Sequence, residues 1–185
     1  MTGPIFDTHA HYSSRAFDAD RIALLDSLPD KGVVGVCEQA THSGDAPRVL
    51  ELAHRYPWVV AAIGIHPESL LPAADCGEEG PAPTVSVYGG DWAAEMQALM
   101  PYYDDPKVVA VGECGLDYHW PVPKDAQLAL FEAEMCIRDR LRALSAARSA
   151  RASTLSSPPR IPSLLTARRS RSTLLRMQRM LPGAS

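Results

Sequence analysis

Within its first eleven residues the chain reads Ile5-Phe6-Asp7-Thr8-His9-Ala10-His11, an apolar pair followed by two histidines two residues apart. On a strand, residues i and i+2 point to the same face. Both imidazoles would then aim at one point, as a metal site requires. Further groups of the same chemistry follow apolar runs downstream: His66 before Pro67, Glu113 after Val108–Gly112, then Asp117 and Tyr118. His119 and Trp120 follow in the same stretch, and the Trp120 indole could stack on a base.

These groups need elements to hold them. Ile5–Thr8, Gly32–Cys37, Trp58–Ile65 and Val108–Gly112 are short apolar, β-branched runs of the kind found in buried parallel strands. Between them the spacing predicts helices over Phe17–Leu28, over Ala46–Tyr56 with Asp45 as cap and Pro47 in the first turn, and over Trp92–Met100 with Asp91 as cap. A fourth helix is predicted to start at Lys124 and run to Met135, and Pro72–Gly90 reads as a Gly/Pro-rich loop. Alternating strands and helices imply a parallel sheet with right-handed crossovers. Four such units are half of an eight-stranded α/β barrel or a small open sheet. His9 and His11, His66 and Glu113 then lie at the C-terminal ends of three strands, where α/β barrels build their active sites.

Composition divides the chain at Met135. Residues 1–135 hold 7 Lys and Arg against 21 Asp and Glu, a net of −14. Residues 136–185 hold 11 Arg, no Lys and one acid, Asp139, a net of +10. All six histidines and every aromatic residue precede position 132. The acidic first part argues against broad, nonspecific binding of nucleic acid, and phosphates there would need neutralisation by metal ions or local basic residues. The four cysteines (Cys37, Cys76, Cys114, Cys136) show no CxxC pairing and read as reduced thiols of a cytoplasmic protein. Neither a signal peptide nor an apolar run of membrane-spanning length is seen.

The chain resembles the N-terminal half of the TatD-family metal-dependent deoxyribonucleases. Four stretches carry the likeness: Ile5–His11, Gly64-Ile65-His66-Pro67, Val111-Gly112-Glu113-Cys114-Gly115-Leu116-Asp117-Tyr118, and Gln127-x-x-x-Phe131-x-x-x-Met135. It covers about residues 3–135 and implies the N-terminal half of a (β/α)8 TIM-type barrel. The activity it implies is hydrolysis of DNA phosphodiesters with two divalent ions, Mg²⁺, Mn²⁺ or Zn²⁺. On that resemblance His9, His11 and Glu113 are metal ligands, with Glu113 placed to bridge two ions. Glu113, His66 and Asp117 are the catalytic candidates, and Tyr118 and Trp120 are candidates for contacting the substrate. An amidohydrolase or a PHP-type phosphoesterase would also carry HxH on its first strand, but the Gly-Glu-x-Gly-Leu-Asp-Tyr motif favours the TatD reading.

Two departures qualify the likeness. Ser13 stands where the family usually has an acid or Asn, and residues 136–185 contain no histidine to supply the family's later ligands. The expectation is therefore an inactive or impaired chain, with metal or nucleic-acid binding without turnover as the non-enzymatic alternative. The Arg/Ser/Pro-rich tail reads as disordered or non-native: Cys136–Arg140 resembles adaptor-derived peptide and the remainder a GC-rich gene in the wrong frame. A genuine tail of this kind would bind nucleic acid weakly, by charge alone.

Overall fold

A computed structural model describes residues 3–71, 87–119 and 121–155. Trp120, Cys76, most of the Pro72–Gly90 loop and residues 156–185 lie outside the described residues. Four strands form one sheet: β1 (Ile5–Ala10), β2 (Val33–Gln39), β3 (Val59–Ile63) and β4 (Val108–Val111). Every neighbouring pair is parallel and the spatial order is β1-β2-β3-β4, the order of the sequence. Helices α1 (Arg21–Ser27), α2 (Ala46–Arg55) and α3 (Trp92–Leu99) supply the three crossovers, and α4 starts at Lys124 after β4. Singly wound parallel strands with a helix after each are the arrangement of half a (β/α)8 barrel.

The β-branched and small residues of the strands explain the core. Val36, Val59, Ala61 and Ile63 are fully buried, as are Val49, Ala53, Leu99 and Leu130 from the helices. Each large aliphatic side chain so buried contributes about 1.5–3 kcal/mol of transfer free energy. The ends of the sheet are less covered. Ile5 and Phe6 of β1 are 45% and 51% exposed, and Val109 of β4 is 58% exposed. Among the described residues β1 pairs only with β2 and β4 only with β3, so the sheet has two open edges.

Two elements differ from the sequence expectation. Phe17–Leu28 is not one helix: Arg15–Phe17 is a 3₁₀ turn and α1 begins at Arg21. The turn's own bonds are of the i→i−3 kind, Phe17 N to Ser14 O and Asp18 N to Arg15 O, and the Arg21 side chain donates to the carbonyls of Tyr12, Ser13 and Ser14 before it. The second difference is at Met135, where the composition breaks but the backbone does not. Helix α4 runs from Lys124 to Leu155, twenty residues past the Met135 end expected from the sequence, and the remainder of the basic tail lies outside the described residues. Ile137 is buried at 2% exposure. Ala, Leu and Arg, which dominate this stretch, are strong helix formers. The chain divides into two compact units at Leu141/Arg142. No helix among the described residues is long and apolar enough to cross a membrane.

Candidate metal centre

The end of β1 presents His9 and His11, and the chain after β4 returns Glu113 to them. The Nε2 atoms of the two histidines lie 3.1 Å apart. Glu113 faces both, with Oε1 3.5 Å from His9 Nε2 and Oε2 3.3 Å from His11 Nε2. His66 comes to the same carboxylate from the end of β3, its Nε2 3.8 Å from Glu113 Oε1. Among the described residues His9, His11 and Glu113 are the group whose donor atoms all lie within 4.8 Å of one another, a spacing that could hold a metal ion. Two imidazole nitrogens and a carboxylate form a mixed N/O set, and such a set accepts borderline and hard divalent ions.

Backbone geometry explains how residues on non-adjacent strands meet. The Glu113 amide donates to Ala40 O at 2.8 Å and the His66 amide to Thr41 O at 2.7 Å, so the chain leaving β2 anchors both. To reach Ala40, the Gly112–Glu113 backbone crosses directly over Gly64. A Cβ at Gly64 would meet Glu113 O and Gly112 C at 2.8 Å, closer than real Cβ contacts. Asp7 assists at β1: its Oδ1 accepts the His9 amide at 3.1 Å, which makes it a partner of the backbone and not of the imidazole.

The charges are mutually adjusted. The Glu113 carboxylate beside His11 lifts that imidazole above its ordinary pKa, against the lowering effect of burial. His11 in turn holds Glu113 below the usual carboxylate range, aided by the fields of His66 and His9.

Other expected site residues are placed differently. Asp117 turns its Oδ1 to the His119 amide at 2.8 Å, and its own backbone is bracketed by buried Gln127: Asp117 N donates to Gln127 Oε1 and Gln127 Nε2 donates to Asp117 O. The structure thus gives Asp117 a loop-fixing role, and no described hydrogen bond or ion pair joins it to the metal group. Tyr118 is exposed, with Lys124 Nζ 4.7 Å from its ring centre. Trp120 falls outside the described residues. Three residues near the site were not foreseen. Glu38 is fully buried and accepts the Ser13 amide through Oε1 at 2.6 Å. Glu134 is fully buried on α4, accepts the Ile65 amide at 2.8 Å and has its pKa pushed up to about 8 by burial. Glu68 sits 3.9 Å from His66 Nδ1. The signal for Glu38 was available, since it is a lone carboxylate inside the run Val33–Gln39.

Comparison with known proteins gives this geometry a context. Residues 6–143 match the model of the family described as TatD related DNase. A metal-dependent hydrolase of uncharacterised function from Bacillus subtilis, YabD, is 32% identical over 134 residues, which are 72% of this chain and 46% of that protein. The 3'-5' ssDNA/RNA exonuclease TatD of Salmonella typhimurium is 28% identical over 140 residues, 75% of this chain and 46% of its own length. The crystal structure of YjjV, a TatD homologue from Escherichia coli, superposes with a TM-score of 0.50 at 29% identity, covering 76% of this chain and 46% of that one. The chain therefore spans about half the length of the curated relatives it matches.

Proposed function

Because the chain belongs to the TatD related DNase family, we propose that it carries the first half of a divalent-metal-dependent hydrolase that cleaves phosphodiester bonds of nucleic acid. The observation that supports this most directly is the convergence of His9, His11 and Glu113 from strands that are not neighbours. The carboxylate lies within 3.5 Å of both imidazole nitrogens, a spacing that a shared divalent ion would use. Divalent ions held there, two in this reading and drawn from Mg²⁺, Mn²⁺ and Zn²⁺, would lower the pKa of bound water and neutralise phosphoryl charge. The chain's own residues hold and orient: His9 and His11 supply nitrogen, Glu113 supplies both oxygens, and His66 faces the same carboxylate from the third strand. Single-stranded DNA is the proposed substrate, by analogy with the Salmonella relative. Cys37 and Cys114 are free thiols, which fits the reducing cytoplasm.

A second reading follows from the donor set itself. Three donors on one side, with His9 and His11 about half exposed, suit binding better than efficient turnover. The two readings separate in one experiment. The chain is incubated with Mn²⁺ and 5′-labelled single-stranded DNA, alongside a His9→Ala/His11→Ala variant. Metal-dependent cleavage lost in the variant is the expected result. Cleavage that persists in the variant would remove the proposed site, and metal binding without cleavage would favour the second reading.

A further inference from the structure

We propose that Arg21 and Glu38 are positioning residues that clamp the turn after β1 and thereby fix the aim of His11. This rests on the reading of His11 as a metal ligand. His11 lies one residue beyond β1, and β1 is an edge strand whose pairing with β2 is irregular between Asp7 and Ala10. The strand ladder therefore does not hold His11 in place. A ligand on an exposed edge needs other restraints, since outer partners set the orientation of metal ligands.

Those restraints come from both sides of the backbone. On the carbonyl side, Arg21 Nε donates to Tyr12 O, while Nη2 lies 3.2 Å from Ser13 O and 2.6 Å from Ser14 O. Nη2 also reaches Asp18 Oδ1 at 2.6 Å, so its two hydrogens are shared among three acceptors. The planar fork suits this task, and charge-assisted bonds of this kind are stronger than neutral ones. Asp18 is held in turn by Arg48 Nη2 at 2.7 Å, which ties the turn to α2. On the amide side, Glu38 Oε1 accepts from Ser13 N. The turn is closed by Ser14 N donating to His11 O at 3.0 Å. Glu38 is fully buried and its Oε2 has no hydrogen-bond partner among the described residues, a costly placement for a carboxylate. The hydrogen bond of its other oxygen goes to this turn.

The test is a Co²⁺ titration of the full chain, read by visible d–d absorption, with far-UV circular dichroism and melting followed in parallel. Wild type is expected to develop a band. Glu38→Leu and Arg21→Lys, which keeps the charge but loses the fork, are expected to fold and to bind Co²⁺ about tenfold to a hundredfold more weakly. Glu38→Gln keeps an acceptor for the Ser13 amide and is expected to restore binding. Folded Glu38→Leu and Arg21→Lys with wild-type affinity would overturn the clamp, as would a lowered melting temperature with unchanged affinity of the folded fraction. A wild type that develops no band at all would instead overturn the metal reading of His9, His11 and Glu113, and the clamp with it.

Discussion

A glycine decides how close Glu113 comes to the other donors. Any side chain at Gly64 would collide with the backbone of Gly112 and Glu113 and not with a flexible tip. Gly64→Ala is expected to lower stability by about 1–3 kcal/mol, as overpacking does, and to shift the melting temperature accordingly. Glu134 offers a second test. Its folded pKa of about 8 lies above its ordinary value of 4.5. Between those values the unfolded chain has released the proton and the folded chain keeps it, so stability falls as pH rises and levels off above about pH 8. The slope is at most about 1.4 kcal/mol per pH unit for one proton. Denaturant melts of Glu134→Gln should lose this dependence. At this scale the sequence showed donor types clearly, because His and Glu at strand ends have few other uses. It did not show Glu134, because burial of that carboxylate depends on a tertiary partner, the Ile65 amide, that is distant in sequence. Asp117 lies in the loop after β4, as the sequence suggested, and there Gln127 and the His119 amide hold it.

Among elements, capping separates two aspartates that look alike in the sequence. Asp91 caps α3 as expected, its Oδ1 accepting from Ala93 N and Ala94 N at 3.1 Å each. Asp45 precedes α2, but its carboxylate turns back to Thr41 N, Thr41 Oγ1 and His42 N and folds the loop after β2. Asp91→Ala is expected to cost about 1 kcal/mol in thermal or chemical denaturation, the usual value of an N-cap. The alternation of strands and helices was legible because continuous β-branched runs and amphipathic helices have different periods. The start of α1 was not, since the 3₁₀ turn at Arg15–Phe17 and the break before Arg21 carry no periodicity that separates them from a helix.

For the molecule as a whole, the change in composition at Met135 lies inside helix α4, six residues before the division into two compact units at Leu141/Arg142. Net charge reports on solvent-facing residues, while α4 is anchored by apolar positions such as Leu130 and Ile137 on either side of the change. Ile137→Ala is expected to destabilise the fold by about 2–5 kcal/mol, measurable by urea titration, if the helix contributes to the core as its burial indicates. The parallel sheet with helical crossovers was legible from element order, while the choice of half a barrel over a small open sheet came from the family resemblance of the motifs. That order also governs assembly in time. With β1-β2-β3-β4 in sequence, each strand can dock on the one synthesised just before it, across crossover connections of 22, 19 and 44 residues, so pairing can follow the emerging chain. The donor group does not share this locality. His9 and His11 leave the ribosome about a hundred residues before Glu113. The nascent chain therefore holds the two imidazoles on an open edge without their carboxylate until β4 arrives, and in the proposed reading ion binding is the last property that these four units acquire.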